Sequence, residues 1–257
     1  GMDTTSCGEP VSMYLASEDE FGNAELAQSI VEQIAYREGV GDTLAEGVHR
    51  VHDEFGVDDW TVKGLDFSGH DGRHLNGQGL AFATANRGAD HMYGEFYAYE
   101  YPLVGKDEAL DPQGLDGKPP KLVEKENRNA VLDSAVVCKF SRGVVTDDRL
   151  GALLDADYED LLAIGAQIVE LERGFNNARG FDRTDDTLPY EIDGFEAGLS
   201  EYYALRGWND DGTVPGYGHE LLRGAGDLSG PPDPRPGRLP SHSVPPSPHP
   251  RPGALPP

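Results

Sequence analysis

Read for the spacing of apolar positions, the chain is a succession of helical segments. Over residues 23–39, Ala27, Ile30, Val31 and Ile34 follow the i, i+3, i+4, i+7 pattern of one helix face, and Gly39 and Gly41 end the run. Asp42 stands where a helix cap is favoured, ahead of a second stripe of Leu44, Val48, Val51 and Phe55 that stops at Gly56. Residues 58–72 show little periodicity and gather Lys63, Asp66, His70 and Asp71, so they read as a loop. Residues 77–88 read as a helix of small side chains, and 121–140 as a helix with Cys138 near its end. A short helix is expected around 149–155, and a last one over 195–208. Between them, 158–176 reads as a long helix with Leu161, Ile164, Ile168, Leu171 and Phe175 on a single stripe. Residues 93–120 are aromatic and then rich in Pro and Gly, which predicts a long wrapping loop. Within that loop, 96–101 is the one stretch with period-two character. The pattern predicts a mainly α chain.

The richest chemistry lies where the small-residue helix ends. Leu80, Ala81, Ala83, Thr84 and Ala85 allow close backbone approach, and Asn86, Arg87, Gly88, Asp90 and His91 follow at once. Gly88 is free to take positive φ and end the helix, leaving Arg87 and His91 projecting from a fixed corner. Polar groups fixed beside a narrow apolar wall suit a buried cofactor. The plainer reading is a helix C-cap with a surface histidine. His49 and His52 share a helix face at i, i+3, but no third metal ligand accompanies them.

Charge narrows the partners. The chain carries 46 acidic and 21 basic residues, for a net charge of −25. The first 215 residues carry all of that excess, since the remainder holds four arginines against three acids. Nucleic acid is disfavoured, because binding it rests on neutralising phosphates with cations, and acidic membrane surfaces are disfavoured for the same reason. So acidic a composition suits a cytoplasmic protein of a salt-rich, halophilic cell, where ions screen self-repulsion. No apolar run approaches a membrane span and no signal peptide is visible. The opening Gly1-Met2 suggests a cloning scar or a piece of a longer protein. The two cysteines, Cys7 and Cys138, form no disulfide framework and read as apolar fillers. Residues 231–257 contain 12 prolines, which predicts a disordered tail or, alternatively, a frame-slip product.

Five stretches together resemble one family. Residues 1–6, Gly-Met-Asp-Thr-Thr-Ser, resemble the end of a D-x-x-G-L-D-T-x-S signature. Lys63-Gly64-Leu65-Asp66 with His70-Asp71-Gly72-Arg73 resembles a K-G-x-E…D-P-R loop. Residues 79–91 resemble G-x-A-x-A-T-x-x-R-G-A-x-H, and 133–138 resemble D-x-x-G-L-C. Phe175-Asn176 with Arg183, Asp185, Asp186, Leu188 and Pro189 resembles F-N-x-R…R-x-D-D-x-L-P. Each is weak alone, but all five stand in order over residues 1–215. The chain resembles the C-terminal, helical part of a tungsten-dependent aldehyde ferredoxin oxidoreductase.

That resemblance implies irregular helical domains, with residues 1–76 ending a middle domain, 77–215 forming the C-terminal domain and 216–257 a disordered Pro-rich tail. It implies oxidation of an aldehyde to a carboxylic acid, with ferredoxin as electron acceptor. The implied cofactors are a bis-pterin tungsten or molybdenum centre (a tungstopterin), held by dithiolene sulfurs, and a [4Fe–4S] cluster. By position, His91 matches the catalytic histidine, Asp3 and Asp133 the pterin-binding aspartates, and Cys138 the fourth cluster ligand. Val137 falls in the pterin-binding signature, and Arg73 and Arg183 are placed to bond a pterin phosphate or to brace helices. Asp185 and Asp186 read as a helix cap. Two departures stand out: Val136-Val137 replaces the usual Gly-Leu, and Gly72 replaces Pro, which would loosen the loop around Arg73. The resemblance also implies a missing N-terminal domain that supplies three cluster cysteines, and leaves room for a homodimer. The isolated chain is then expected to be inactive, and the reading from another class is a non-catalytic helical assembly module.

Overall fold

The structure is a computed structural model that describes residues 2–101, 109–141 and 144–216. The expected disordered tail beyond 216 lies outside the described residues, as does the 102–108 part of the expected long loop. Helix α1 (Thr4–Ser17) opens the chain, where the sequence pattern gave no helix. Asp3 caps it by accepting from the Ser6 amide at 2.7 Å. Helix α2 (Ala24–Tyr36) is capped by Asn23, which accepts from the Leu26 amide, and buries Ile30 and Ile34. The next expected stripe divides at Gly47, φ 86°, into α3 (Val40–Leu44) and α4 (Val48–Val51), followed by a 3₁₀ turn over His52–Phe55. Strands β1 (Thr61–Val62) and β2 (Leu65–Asp66) form a small antiparallel hairpin, with Thr61 opposite Asp66 and Val62 opposite Leu65.

Helix α5 (Asn76–Thr84) is buried along its whole length. Such a helix buries both its ends and needs partners for its terminal amides. Leu75 at its N-cap offers none, and the Glu100 carboxylate accepts from the amides of Gly77 at 2.8 Å and Gln78 at 3.0 Å. Lys118 neutralises that carboxylate at 2.6 Å, itself buried. Gly72 and Gly79 meet backbone to backbone, so a Cβ at Gly72 would lie 2.7 Å from the Gly79 Cα. Gly72 therefore tightens this loop instead of loosening it. The expected 93–120 loop is interrupted by the short helices α6 (His91–Gly94) and α7 (Tyr97–Glu100). Helix α7 occupies the stretch with period-two character, because its alternating aromatics pack in several directions at once.

Helix α8 (Lys118–Ser134) stops before Cys138, which falls in the following turn. After α9 (Asp147–Leu154) comes α10 (Tyr158–Ala178), then α11 (Phe195–Arg206). Helix α10 packs on α8 and buries Leu161, Gly165, Val169 and Arg173, so only Leu161 of the expected stripe is fully buried, while Ile168 packs half-buried against the larger core. Two apolar stripes run along this helix, and the one holding Ile164, Leu171 and Phe175 faces outward. Two cores result. Cys7, Val11, Leu15, Ile30, Ile34, Leu44 and Val51 form one in the first helices. Leu80, Phe96, Leu122, Val169, Leu199, Tyr202 and Trp208 anchor the larger one.

A single carboxylate joins several of these elements. Asp186, fully buried, receives Lys63 Nζ at 2.7 Å, Arg173 Nη1 at 2.9 Å and the Tyr203 hydroxyl. Asp185 does serve a cap, accepting from the Asp182 amide, but the side chain of Asp186 turns inward to this cluster. Removing one member of a buried ion group leaves its partners uncompensated. Asp186→Ala is expected to lower stability by about 3–5 kcal/mol in urea unfolding, and Tyr203→Phe by about 1–3 kcal/mol.

Candidate active site

The corner after α5 forms as its sequence suggests, though four residues later than the helix end. The helix finishes at Thr84, and Gly88, φ 93°, turns the chain. A Cβ on Gly88 would lie 2.4 Å from the Val62 carbonyl oxygen, so the corner seats directly on the hairpin. Asp90 then caps α6 by accepting from the Met92 amide at 2.7 Å. This sets His91 as the first residue of α6, half-buried.

Rings surround His91. Its imidazole centroid lies 5.0 Å from that of His70 and 6.0 Å from that of Tyr97. His70 stacks on Tyr97 at 3.9 Å with planes only 7° apart, and Tyr101 stands 6.0 Å from His70. Burial, with the His91 ring close by, holds the His70 imidazole below its ordinary value.

The turn after α8 is tied to the same corner. Asp133, largely exposed, takes Lys139 Nζ at 2.9 Å and Arg87 Nη2 at 3.3 Å. Arg87 also reaches Asp90 at 3.2 Å, and its guanidinium lies 5.0 Å from the Tyr93 ring centre. Lys139 Nζ donates in addition to the Met92 carbonyl at 2.9 Å, one residue from His91. Cys138 is exposed and borders a pocket of about 350 Å³ with Glu95, Lys125, Arg128 and Lys139. Glu95 ends the short helix that His91 begins. His91, Asp133 and the Cys138 turn therefore share one neighbourhood, held by Arg87 and Lys139. The Val137 amide donates to the Leu132 carbonyl at 2.9 Å, and its side chain packs on the Val131, Leu132, Leu150 and Leu161 cluster.

The remaining candidates are engaged elsewhere. Asp3 borders a second pocket, about 460 Å³, that includes Cys7, His49, Lys63 and Asp66. Arg73 grips Asp71, at 2.7 Å through Nη2, and lies 5.4 Å from the Trp60 ring centre. Arg183 bonds Glu196 at 2.7 Å and lies 5.2 Å from the Tyr203 ring centre, which is a brace between the 183–185 turn and α11. His49 pairs with Asp59 and His52 bonds the Val57 carbonyl, and no described group of three or more His, Cys, Asp or Glu is placed to hold a metal.

Sequence reasoning passed over His70 as a companion of His91, and Lys139 as the link between Asp133 and α6. The scarcity of lysine was a signal for the second. The chain has six lysines, and Lys63, Lys118, Lys125 and Lys139 each form an ion pair. In so acidic a chain, each of these four lysines meets a carboxylate.

Iron–sulfur chemistry sets a clear test of fit. A [4Fe–4S] cluster is commonly held by four thiolates, and this chain has two cysteines, one buried in the first core and one exposed at the corner. The chain cannot hold such a cluster by itself. Asp133 fits a pterin better: an exposed carboxylate there would accept ring N–H groups, and Arg87 and Lys139 beside it are cations of the kind that bind phosphate oxygens.

The family model for aldehyde ferredoxin oxidoreductase, domains 2 and 3, matches residues 1–217. A tungsten-containing aldehyde ferredoxin oxidoreductase of Pyrococcus furiosus is 37% identical over 219 residues, covering 76% of this chain and 36% of that protein. One from Thermococcus kodakarensis is 33% identical over 254 residues, covering 84% of this chain and 42% of that protein. The chain thus spans well under half the length of these relatives. Among solved structures, the active site complex BamBC of benzoyl coenzyme A reductase, bound to 1,5 dienoyl-CoA, aligns with a TM-score of 0.65 at 18% identity. It covers 83% of this chain and 42% of its own, a likeness of fold. No described helix is long and apolar enough to cross a membrane.

Two outcomes follow from the corner's geometry. Val136 holds φ 57° with its side chain 91% exposed, a left-handed conformation costly for a β-branched residue and supported by no packing. Val136→Gly is expected to raise stability by about 1 kcal/mol, read as a shifted denaturation midpoint without change of slope. For His70, the unfolded side chain takes up a proton near pH 6.5 and the folded one only at lower pH. The unfolded state then binds more protons, so this group's contribution is whole above about pH 6.5 and is lost as pH falls through the folded value. Histidine NMR should give His70 a midpoint below 6.5, and His70→Phe should flatten the acid limb of stability against pH.

Proposed function

This chain belongs to the aldehyde ferredoxin oxidoreductase family, and from that premise we propose that it supplies the proton-handling and part of the cofactor-binding half of an aldehyde-oxidising enzyme. The observation that carries the proposal is the Lys139 ammonium, which joins Asp133 to the carbonyl of Met92 and so links a cofactor-type carboxylate to the helix that begins with His91. The reaction takes an aldehyde and water to a carboxylate, two electrons and three protons, with ferredoxin accepting the electrons. A tungstopterin, when bound, would supply the two-electron redox chemistry.

The residues of this chain serve the rest. His91 takes up a proton at an imidazole nitrogen as water's oxygen becomes bonded to the aldehyde carbon, and passes it on before the next turnover. The tilted packing of His70 and Tyr97 fixes the plane of that ring. Asp133 accepts from the ring N–H groups of a pterin, and Arg87 and Lys139 keep its charge compensated. Asp3 would accept from the second pterin, while Arg73, Val137 and Arg183 support the frame. Cys138 would give one thiolate of four to a [4Fe–4S] cluster. Alone, the chain lacks the other three thiolates and is inactive.

In the full-length enzyme, with its cofactors loaded, His91→Ala is expected to lower kcat by about 10²–10⁴-fold, the range of a lost general acid–base group. Tungsten content and folding should stay unchanged. An unaltered kcat would overturn the assignment of His91.

A further inference from the structure

Two imidazoles stand side by side at the proposed site, and the chemistry above uses one of them. The His70 ring lies 5.0 Å from that of His91, with planes tilted by 45°. That separation is within the span of one bridging water. The rings come from different segments, His70 from the loop ahead of α5 and His91 from the start of α6. His70 is half-buried and follows the exposed Gly69, so it meets both the site and solvent. Tyr97 covers one face of the His70 ring at 3.9 Å, which leaves the ring edge, where both nitrogens lie, for proton exchange. His49 and His52 each commit a nitrogen to a fixed partner, Asp59 and the Val57 carbonyl. Among the described residues His70 has no such bond.

We infer that His70 relays protons between His91 and solvent. This rests on the reading of His91 as the proton-handling group, and adds the route by which that group is discharged. Aldehyde oxidation releases three protons in each turnover, so an imidazole that takes one up must give it away before the next. The N–H bond of protonated His91 breaks as one forms on His70, directly or through one water. His70 then gives a proton to solvent, and both rings end neutral. A relay must not become a trap. Two positive charges on rings 5.0 Å apart repel, so His70 accepts only as His91 is discharged. Burial, with the His91 ring close by, also holds His70 below its ordinary value, so it lets the proton go at neutral pH. The carboxylates nearest the pair among the described residues are already matched. Asp71 on the loop of His70 is gripped by Arg73, Asp90 beside His91 is paired with Arg87, and Asp133 is met by Lys139. The other titratable groups against the pair are the phenols of Tyr97 and Tyr101. A protonated His70 therefore gains no fixed counter-charge to hold it in that state.

His70→Phe tests this, since a phenyl ring keeps the stack on Tyr97 and carries no proton. In the full-length enzyme, with its cofactors loaded and in dilute buffer, kcat is expected to fall by about tenfold or more with KM unchanged. Added imidazole, a mobile proton carrier, should restore it. An unchanged kcat overturns the relay. So does a loss that imidazole leaves in place, because the ring then only holds His91 in position. A second measurement needs no cofactor. In the chain itself, histidine NMR should show the His70 midpoint rise by about half a pH unit or more in His91→Gln, as a neighbouring charge is removed. A His70 midpoint indifferent to that change overturns the relay too. The role of His91 is separated by His91→Ala: an unaltered kcat there removes that role and the relay with it, whereas a failed relay alone leaves the His91→Ala loss in place.

Discussion

The buried carboxylate of Asp186 is the constraint on which the placement of the other parts depends. Its three donors come from the β-hairpin, from the C-terminal third of α10 and from α11, segments far apart in sequence. Lys63 extends the connection by also donating to the Ala83 carbonyl near the end of α5. The corner that carries His91 is thus positioned from below by the hairpin and from behind by α10. A buried ion group of this kind adds little net stability over well-packed apolar side chains. It does distinguish one arrangement from its neighbours, because a shift of any element leaves a charge without its counter-charge in a site buried from solvent. Gly88 resting on the Val62 carbonyl reinforces the same seating sterically.

Much of the helical framework was legible because one-sided helices announce themselves. Helix α2 has a single apolar face and a side-chain cap, and its pattern located it to within a few residues. Helix α10 has two apolar faces, and the buried one is built on Gly165 and Arg173, which no count of hydrophobic residues would score. The expected stripe was genuine, but its Ile164, Leu171 and Phe175 face outward while Leu161 and Ile168 pack inward. Helix α5 has no preferred side at all, since every residue is buried, so periodicity could suggest its small residues but not its ends. The period-two reading of 96–101 failed because aromatics alternate there for reasons of ring packing.

The site was legible in its members more than in its connections. Ordered motifs brought forward His91, Asp133 and Cys138, and the structure sets them around one corner. It did not follow from those motifs that Lys139 would join Asp133 to α6, or that His70 would stack on Tyr97. These contacts link residues far apart in the chain, and no local pattern encodes them. Asp186 illustrates the same limit. Beside Asp185 in a short polar run it read as half of a cap, whereas its burial is decided by residues 123 positions before it and 17 after it, Lys63 and Tyr203.

The anchoring of α5 has a consequence for how this protein acquires its shape. The helix owes its first amides to Glu100, and that carboxylate in turn needs Lys118 beside it before it can leave water. An isolated nine-residue helix rich in glycine and alanine does not persist on its own. Its formation must therefore wait until more than thirty residues downstream have been synthesised and folded back over it. The segment that leads into the His91 corner cannot become native before then and, once in place, its amides exchange with solvent only when the larger core opens.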